Sequence, residues 1–502
     1  MARLHEYQGK AALKERGIEV PRSGVARTPA DARRIAEELG GPVVVKIQAW
    51  TTGRASMGGV KMADTPGQAE AHAEAMLSMT VGNFPVTELL VEEKLDIARE
   101  LFVSMTIDDA ARRPMMLLSL EGGTGIEERA EAVHRLAVHV RDGIDQAALR
   151  GAIEDSTIEP TLRDAVVGAI EKIVETAREI EARSLEVNPL VITGDGRVMA
   201  ADCRVTVDDY AVFRHPELGI EIARELDHPP TALERIAYRV EEADHRGTFY
   251  FAQLPHDPDD PKLVGFHGAG GGGSMMSMDA LTNAGFTIAN FTDTSGNPSS
   301  AKVYAAARII LSQPGLVGYF GSGSGVASQE QFWSAYGLAK AFNEVNLSIP
   351  AVIRLGGNSE DRAVEILNDA CRPLPAVVEG YKKDDTPAFC AERFKTLVEQ
   401  AGARIEGTTR TVPAFVGSPG ALSAKIDRGT LWIDLEHCDA DTTAFVVEHS
   451  FGLLREENGK PTVAVSEDEL AGKDSELIAC EVECLRAGRP VVFVDIPIEG
   501  LD

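Results

Sequence analysis

The sequence predicts an α/β protein of more than one domain, and three observations carry that expectation. First, a chain of 502 residues with 44% hydrophobic composition can bury a large core and should divide into two to four domains. Second, strand-like and helix-like runs alternate through residues 1 to about 240. Third, from about residue 260 the order becomes strand, glycine turn, helix, repeated, as a parallel sheet with covering helices requires. The turn-rich run His256-Asp-Pro-Asp-Asp-Pro261 separates the two patterns.

Taken in order, Thr28-Pro29 opens a helix with a capping hydroxyl and a proline at the first helical position, and Gly40-Gly41-Pro42 ends it. The apolar run Val43-Val44-Val45 then reads as a strand ending on Lys46, and Glu88–Glu93 as another. Leu101, Val103, Met105 and Ile107 alternate, which predicts a half-buried antiparallel strand pairing with Met115–Leu120. A helical region at about 145–182 precedes strands at Ser184–Thr193 and Arg197–Val207, joined by the turn Gly194-Asp195-Gly196. Pro229-Pro230 and the helix after it look like a connector. Lys262–His267 is expected as a strand, Gly268–Ser274 as a loop and Met275–Ala284 as a helix. Further strands are expected at Thr287–Asp293, Leu316–Gly321 and Ala351–Leu355, with helices at about 299–312 and 326–344. Beyond residue 400, Leu431–Leu435 and Val491–Ile496 are strand-like and Ser475–Ala487 helical, enough for a small α/β extension.

A formal net charge of −28 argues against nucleic acid as the main partner. No run of 18 or more apolar residues exists, so no transmembrane helix and no membrane partner are expected. The N-terminus has no signal-peptide core, and six scattered cysteines fit reduced thiols, so the cytoplasm is the expected location. Cys480 and Cys484 share a helix face without further metal-ligand types nearby, which reads as packing.

The run Lys46-Ile-Gln-Ala-Trp-Thr-Thr-Gly53-Arg54-Ala-Ser-Met-Gly58-Gly59 is the chemically richest. A lysine at a strand end followed by a cationic glycine loop can neutralise nucleotide phosphates, because glycine lets backbone N–H groups approach closely. A surface lysine beside a flexible loop is the ordinary alternative. The P-loop pattern is absent.

Several motifs occur in a fixed order: Leu4-His5-Glu6-Tyr7-Gln8-Gly9-Lys10, Gly17 to Pro21, the Lys46 run, Val91-Glu92, Asp96 to Glu100, Glu121-Gly122-Gly123 and Leu185-Glu186-Val187-Asn188-Pro189-Leu190. In order and spacing they resemble the ATP-grasp domain of the β subunit of succinyl-CoA synthetase, an ADP-forming acyl-CoA synthetase. The likeness continues into that subunit's ligase domain and spans about 390 residues, beginning by Leu4 and so leaving no room for a transit peptide. The resemblance implies an ATP-grasp nucleotide-binding domain at 1–240, a flavodoxin-like parallel α/β ligase domain at 260–400 and a C-terminal extension of no carried-over role at 401–502.

It further implies an acid–CoA ligase that forms acyl-CoA, ADP and phosphate from a small carboxylic acid, ATP (or GTP) and CoA. The route runs through an acyl phosphate and a phosphohistidine that belongs to a partner α subunit, in an αβ or α2β2 hetero-oligomer. Lys46, Gly53, Arg54, Glu92 and Glu100 fall at nucleotide-binding positions. Asn188 and Asp202 fall at positions for Mg²⁺, whose preference is for hard oxygen ligands shared with phosphates. Glu186 falls where the phosphohistidine is oriented. His267 and Gly268, with the turn Gly321, Ser322, Gly323, Ser324 and Gly325 before a helix, are expected at the acid and phosphohistidine site, since a helix N-terminus holds anions.

Ala55 and Ser56 stand where the family more often has glycine and lysine. Gly-Ser-Gly-Ser-Gly-Val-Ala-Ser-Gln replaces the succinate-specific Gly-Gly-Ile-Val-Arg-Cys-Asp, the loop after Asp293 reads Thr-Ser-Gly-Asn-Pro, and the loop at 268–274 gains glycines. Small and hydroxyl-bearing residues widen a pocket and add hydrogen-bonding groups. A substrate other than succinate is expected, such as a malate-like or sulfonated acid. Another ATP-grasp carboxylate ligase and a non-catalytic regulatory subunit are the competing readings.

Overall fold

The computed structural model describes the chain apart from residues 52, 121–132, 245–247, 258, 324–326, 412–422, 428–429, 435–455, 458–459, 467–472 and 489–493. The motif Glu121-Gly122-Gly123 lies outside the described residues. The chain divides into two compact units, Met1–Pro230 and Thr231–Asp502, where the sequence suggested parts at 1–240, 260–400 and 401–502.

The first unit holds two antiparallel sheets. The smaller is ordered Ser23–Ala26, Leu89–Glu93, Val43–Ile47, Val60–Ala63, and helices Pro29–Leu39 and Pro66–Leu77 pack on it. Thr28 caps the first of these helices through Asp31 N, and Gly40 ends it in the left-handed region. Val43, Val45 and Ile47 enter the core with Leu89 and Val91. Because strand side chains alternate, Lys46 projects from the opposite face.

The larger sheet is ordered Ala2–Arg3, Cys203–Val207, Ala182–Thr193, Ile97–Asp108, Arg113–Ser119, His134–His139, Gly143–Ile144, with Val198–Ala200 alongside Ala182–Thr193. The helices Glu6–Glu15 and Pro160–Glu179 cover it, burying Leu13, Ile170, Ile173 and Val174 against Leu185 and Val187. The expected helical region at 145–182 is two helices, Gln146–Glu154 and Pro160–Glu179, because proline is placed well only in a first turn. The expected strand Arg197–Val207 is interrupted at Ala201–Asp202. There the Ala201 amide bonds Pro189 O at 3.1 Å, and the Ala201 carbonyl turns to side chains described below.

In the second unit a sheet is ordered Tyr250–Gln253, Asn290–Asp293, Leu263–Ala269, Gly318–Gly323, Ala351–Arg354, Val378–Tyr381. All its pairings are parallel except that of the edge strand Tyr250–Gln253. Numbering the five parallel strands along the chain gives 2-1-3-4-5, the flavodoxin-like order, in which ligands gather where the order reverses. The chain reverses between Leu263–Ala269 and Gly318–Gly323, the strands that end in the predicted glycine turns.

Two local expectations change. Gly271, Gly272 and Gly273 form the first turn of helix Gly271–Asn283 rather than a loop, and only Gly270 turns, with φ +97°. A short strand, Ala327–Glu330, precedes helix Phe332–Glu344, so the glycine–serine run from Gly321 does not lead straight into a helix.

Past residue 400 the described strands Ser423–Asp427, Thr430–Asp434, Lys460–Ser466 and Glu456–Glu457 form an antiparallel sheet. The expected strand at 491–496 lies partly outside the described residues, and Val494–Ile496 is not a strand. Helix Asp474–Arg486 packs on Ser300–Leu311, Phe332–Glu344 and Glu360–Cys371, with Ile478, Ala479 and Val482 inside the unit's main core. Cys480 and Cys484 are buried on this helix as packing residues. The helix Ala232–Ala243, read from sequence as a connector, starts on a capping box of Thr231 and Glu234 and joins the same core through Ile236 and Ala237. Among the described residues no helix is long and apolar enough to cross a membrane.

Candidate functional site

In the first unit, six charged side chains from five segments meet in one buried cluster. Lys46 Nζ lies 2.8 Å from Glu6 Oε1 and 3.0 Å from Ala201 O, and it also pairs with Glu92. Lys10 Nζ lies 2.8 Å from Glu6 Oε1, 2.6 Å from Glu92 Oε2 and 2.7 Å from Ala201 O. Arg54 bridges Glu6 Oε2 at 2.9 Å and Asp202 Oδ2 at 2.7 Å, and donates to Ile47 O. Buried charges persist only when paired this closely. Burial opposes ionisation of Glu6, but Lys46, Lys10 and Arg54 outweigh it and hold its carboxyl far below the usual range. Burial likewise opposes the charge on Lys46, and Glu6 and Glu92 overcome it, so the ammonium is held charged.

The turn that carries Arg54 depends on glycine. Gly53 and Gly58 have φ of +67° and +82°, and a Cβ on Gly59 would stand 2.6 Å from Ile47 Cδ1. Gly59 N closes the turn on Arg54 O at 2.7 Å.

Glu186 and Asn188 stand on strand Ala182–Thr193, and Asp202 stands in the break just before the neighbouring strand Cys203–Val207. The register pairs Glu186 with Arg204 and Val187 with Cys203, which brings Asn188 and Asp202 to adjacent positions at the end of that ladder. Leu185 and Val187 enter the core, so Glu186 and Asn188 share the other face and are half-buried. Asp202 Oδ1 is buried without a hydrogen-bond partner among the described residues, while Oδ2 is taken by Arg54. An orphaned carboxylate oxygen beside an amide fits one face of a hard cation whose other ligands come from phosphate and water. Among the described residues no group of three or more His, Cys, Asp or Glu stands ready as a closed metal cage. Burial, with Glu6, raises the Asp202 carboxyl against the pull of Lys46 and Arg54.

Glu92 is part of the same cluster. Its side chain is 4% exposed and both oxygens are engaged by Lys10 and Lys46 rather than offered to nucleotide hydroxyls. Glu100 lies on strand Ile97–Asp108 opposite Val191, half-buried and outside the cluster.

In the second unit, His267, Gly268, Gly321, Ser322 and Gly323 come together at the switch of strand order; Ser324 and Gly325 lie outside the described residues. A cavity of about 20 Å³ is lined by His267, Thr294, Ser322, Gln331, Ser334 and Arg354 among others, room for roughly one water. His267 Nδ1 lies 2.5 Å from Tyr319 Oη, and Nε2 lies 3.2 Å from Thr294 Oγ1, which donates to Gly268 O. That chain is satisfied if Tyr319 donates to Nδ1 and Nε2–H donates to Thr294. Burial pushes the imidazole down to about 4, so it is neutral near pH 7 and both nitrogens serve the fold. Ser322 Oγ pairs with Ser277 Oγ at 2.6 Å. Arg354 spends its guanidinium on the carbonyls of Gly323, Lys383 and Asp385, which fixes the end of strand Gly318–Gly323.

Sequence reading assigned no role to Glu6, Lys10, Ser277 or Arg354. A signal for the first two was present. Glu6, Gly9, Lys10 and Leu13 fall on the buried stripe of helix Glu6–Glu15, and charged residues on a buried stripe call for buried partners.

A model of the ATP-grasp domain family matches residues 3–192. The chain is 35% identical over 369 residues to the β subunit of a GDP-forming succinate–CoA ligase from Thermus thermophilus, covering 72% of this chain and 93% of that protein. It is 34% identical over 408 residues to the β subunit of an ADP-forming succinate–CoA ligase from Rubrobacter xylanophilus, covering 80% of this chain and 99% of that protein. In structure it is similar to ATP citrate lyase from Methanothrix soehngenii, with a TM-score of 0.60 at 18% identity, covering 80% of this chain and 99% of that one, a likeness of fold. An ATP-grasp unit followed by a flavodoxin-like parallel sheet, with that identity over nearly the whole length of these relatives, places the chain in the family of succinate–CoA ligase β subunits.

Proposed function

We propose that this chain is the nucleotide-binding β subunit of an acid–CoA ligase, acting with an α subunit that supplies the phosphorylated histidine and most of the CoA site. The observation that carries the reading is the cluster of Lys46, Arg54 and Asp202, two fixed cations beside a carboxylate with one free oxygen. ATP or GTP phosphates take Lys46 and Arg54, and the amides of the Gly53–Gly59 turn close over them. Asn188 and Asp202 hold Mg²⁺, which neutralises phosphate charge when bound. Glu186, on the face shared with Asn188, orients the partner's histidine. Overall, the terminal phosphoryl passes from nucleotide to that histidine and then to the acid carboxylate, and the CoA thiol displaces phosphate from the acyl phosphate.

The acid is one other than succinate. What supports this is the replacement of the succinate-specific run by small and hydroxyl-bearing residues, which widen a pocket and add hydrogen-bonding groups. The test is ADP release by the chain co-purified with an α-type subunit, across a panel of small acids with CoA. CoA-dependent turnover with a malate-like or sulfonated acid is expected. Preference for succinate would overturn the substrate assignment, and release coupled to an amine acceptor instead of CoA would overturn the ligase class.

A further inference from the structure

We propose that Glu6 and Lys10, one turn apart on the first helix, form a positioning pair for the phosphate-binding cations. Glu6 sets where Lys46 and Arg54 stand, and Lys10 takes over the partners of Lys46 when that lysine turns to a phosphate. The proposal rests on the reading of Lys46 and Arg54 as phosphate contacts.

The geometry of donors and acceptors leads there. An ammonium has three N–H donors, and those of Lys46 meet Glu6, Glu92 and Ala201 O. Lys46 therefore binds a phosphate only by releasing one of these acceptors. A released buried carboxylate or carbonyl with no other donor would be costly. Lys10 contacts the same three groups, at 2.8, 2.6 and 2.7 Å. It thus already stands where a replacement is needed, and it is itself buried.

Glu6 does the complementary work. Its two oxygens divide the cations: Oε1 takes Lys10 and Lys46, and Oε2 takes Arg54. Lys46 comes from a strand and Arg54 from the glycine turn after it, so this carboxylate ties two separate segments to one point. That point is rigid. Gly9 presses the helix onto the larger sheet so closely that a Cβ there would stand 2.7 Å from Cys203 Sγ. Cys203 follows Asp202 directly, so the cations are held in register with the expected metal ligand. Lys10, Lys46 and Arg54 balance Glu6, Glu92 and Asp202 in charge, and phosphates can enter without stranding any of them.

The test measures MgATP affinity by titration calorimetry on the full chain, for Lys10→Met, Glu6→Gln, Lys46→Met and the double variant Lys10→Met/Lys46→Met. Lys10→Met and Glu6→Gln are each expected to weaken binding about tenfold, the worth of one charge-assisted hydrogen bond. Since Lys10 acts through Lys46, the double variant should bind no more weakly than Lys46→Met alone. Additive losses in the double variant, as a merely structural lysine would produce, overturn the proposal. So do affinities within twofold of wild type for Lys10→Met and Glu6→Gln when Lys46→Met is impaired; the phosphate reading of Lys46 then stands. An unimpaired Lys46→Met instead removes the phosphate reading, and the pair's role with it. Should Lys10→Met or Glu6→Gln not fold, Glu6→Asp keeps the charge but shortens its reach. It is then expected to weaken MgATP binding in the wild-type background and not in Lys46→Met, and the opposite pattern overturns the proposal.

Discussion

His267 makes the second unit sensitive to acid in a calculable way. Buried between Tyr319 and Thr294, it titrates at about 4 in the folded chain, against 6.5 for a free imidazole. As pH falls through 6.5 the unfolded chain takes up a proton that the folded chain refuses until about pH 4, so stability is lost across that window. At 1.36 kcal/mol per unit of pKa difference, the loss totals roughly 3 kcal/mol at pH 4, with about 2 kcal/mol of it already gone at pH 5. The comparison is with His267→Asn, which keeps a hydrogen-bonding side chain and removes the titration. Urea unfolding followed by aromatic fluorescence at several pH values between 7 and 5 gives the stability of each protein. His267→Asn should be the less stable at pH 7, where it loses a hydrogen bond, yet show a pH slope shallower by that amount. Parallel slopes in the two proteins would refute the argument, and with it the neutral, buried state of the imidazole.

Other consequences can be checked in parallel. On the proposed function, Lys46→Met should weaken nucleotide binding by roughly 10- to 100-fold, the equivalent of 1.5–3 kcal/mol, as read by calorimetry. Lys340 is buried between Glu344 and Glu481 at 2.8 Å from each, tying helix Asp474–Arg486 to the ligase fold, and burial already raises the Glu481 carboxyl. Lys340→Met should therefore cost about 3 kcal/mol in urea unfolding; an unchanged midpoint would show the helix held by its apolar face alone. Gly318→Ala would drive a Cβ into the Phe394 ring and should lower stability by about 1–3 kcal/mol with nucleotide affinity intact, a split that distinguishes core strain from damage to the site.

Much of this was legible in local sequence. The apolar run Val43-Val44-Val45 gave the strand that carries Lys46, and the structure added the face on which that lysine projects. The cap at Thr28 and the stop at Gly40 appeared as read, because each depends on neighbours within a few residues. The strand–turn–helix repeats of the second unit announced its parallel sheet, and Gly268 and Gly321 fell near the carboxyl ends of the two strands between which its order reverses. Where reading failed, a nonlocal demand had overridden a local one. Gly271–Gly273 look like a loop, yet the packing of Ser274, Ser277 and Leu281 draws them into a helix. The strand from Arg197 breaks at Ala201 because its carbonyl serves two lysines from other segments.

The nucleotide candidates Lys46, Gly53 and Arg54 and the metal candidates Asn188 and Asp202 were thus named from sequence, through short motifs whose order resembles the family's. Their state was not. That Lys46 is donor-saturated and that Glu92 faces two lysines rest on contacts with Glu6 and Lys10. Those two lie 36 to 40 residues before Lys46, and Arg54 meets Asp202 across 148. No periodicity links residues so far apart. Only the tertiary fold of the first unit brings the charges together, and burial then forces them to pair.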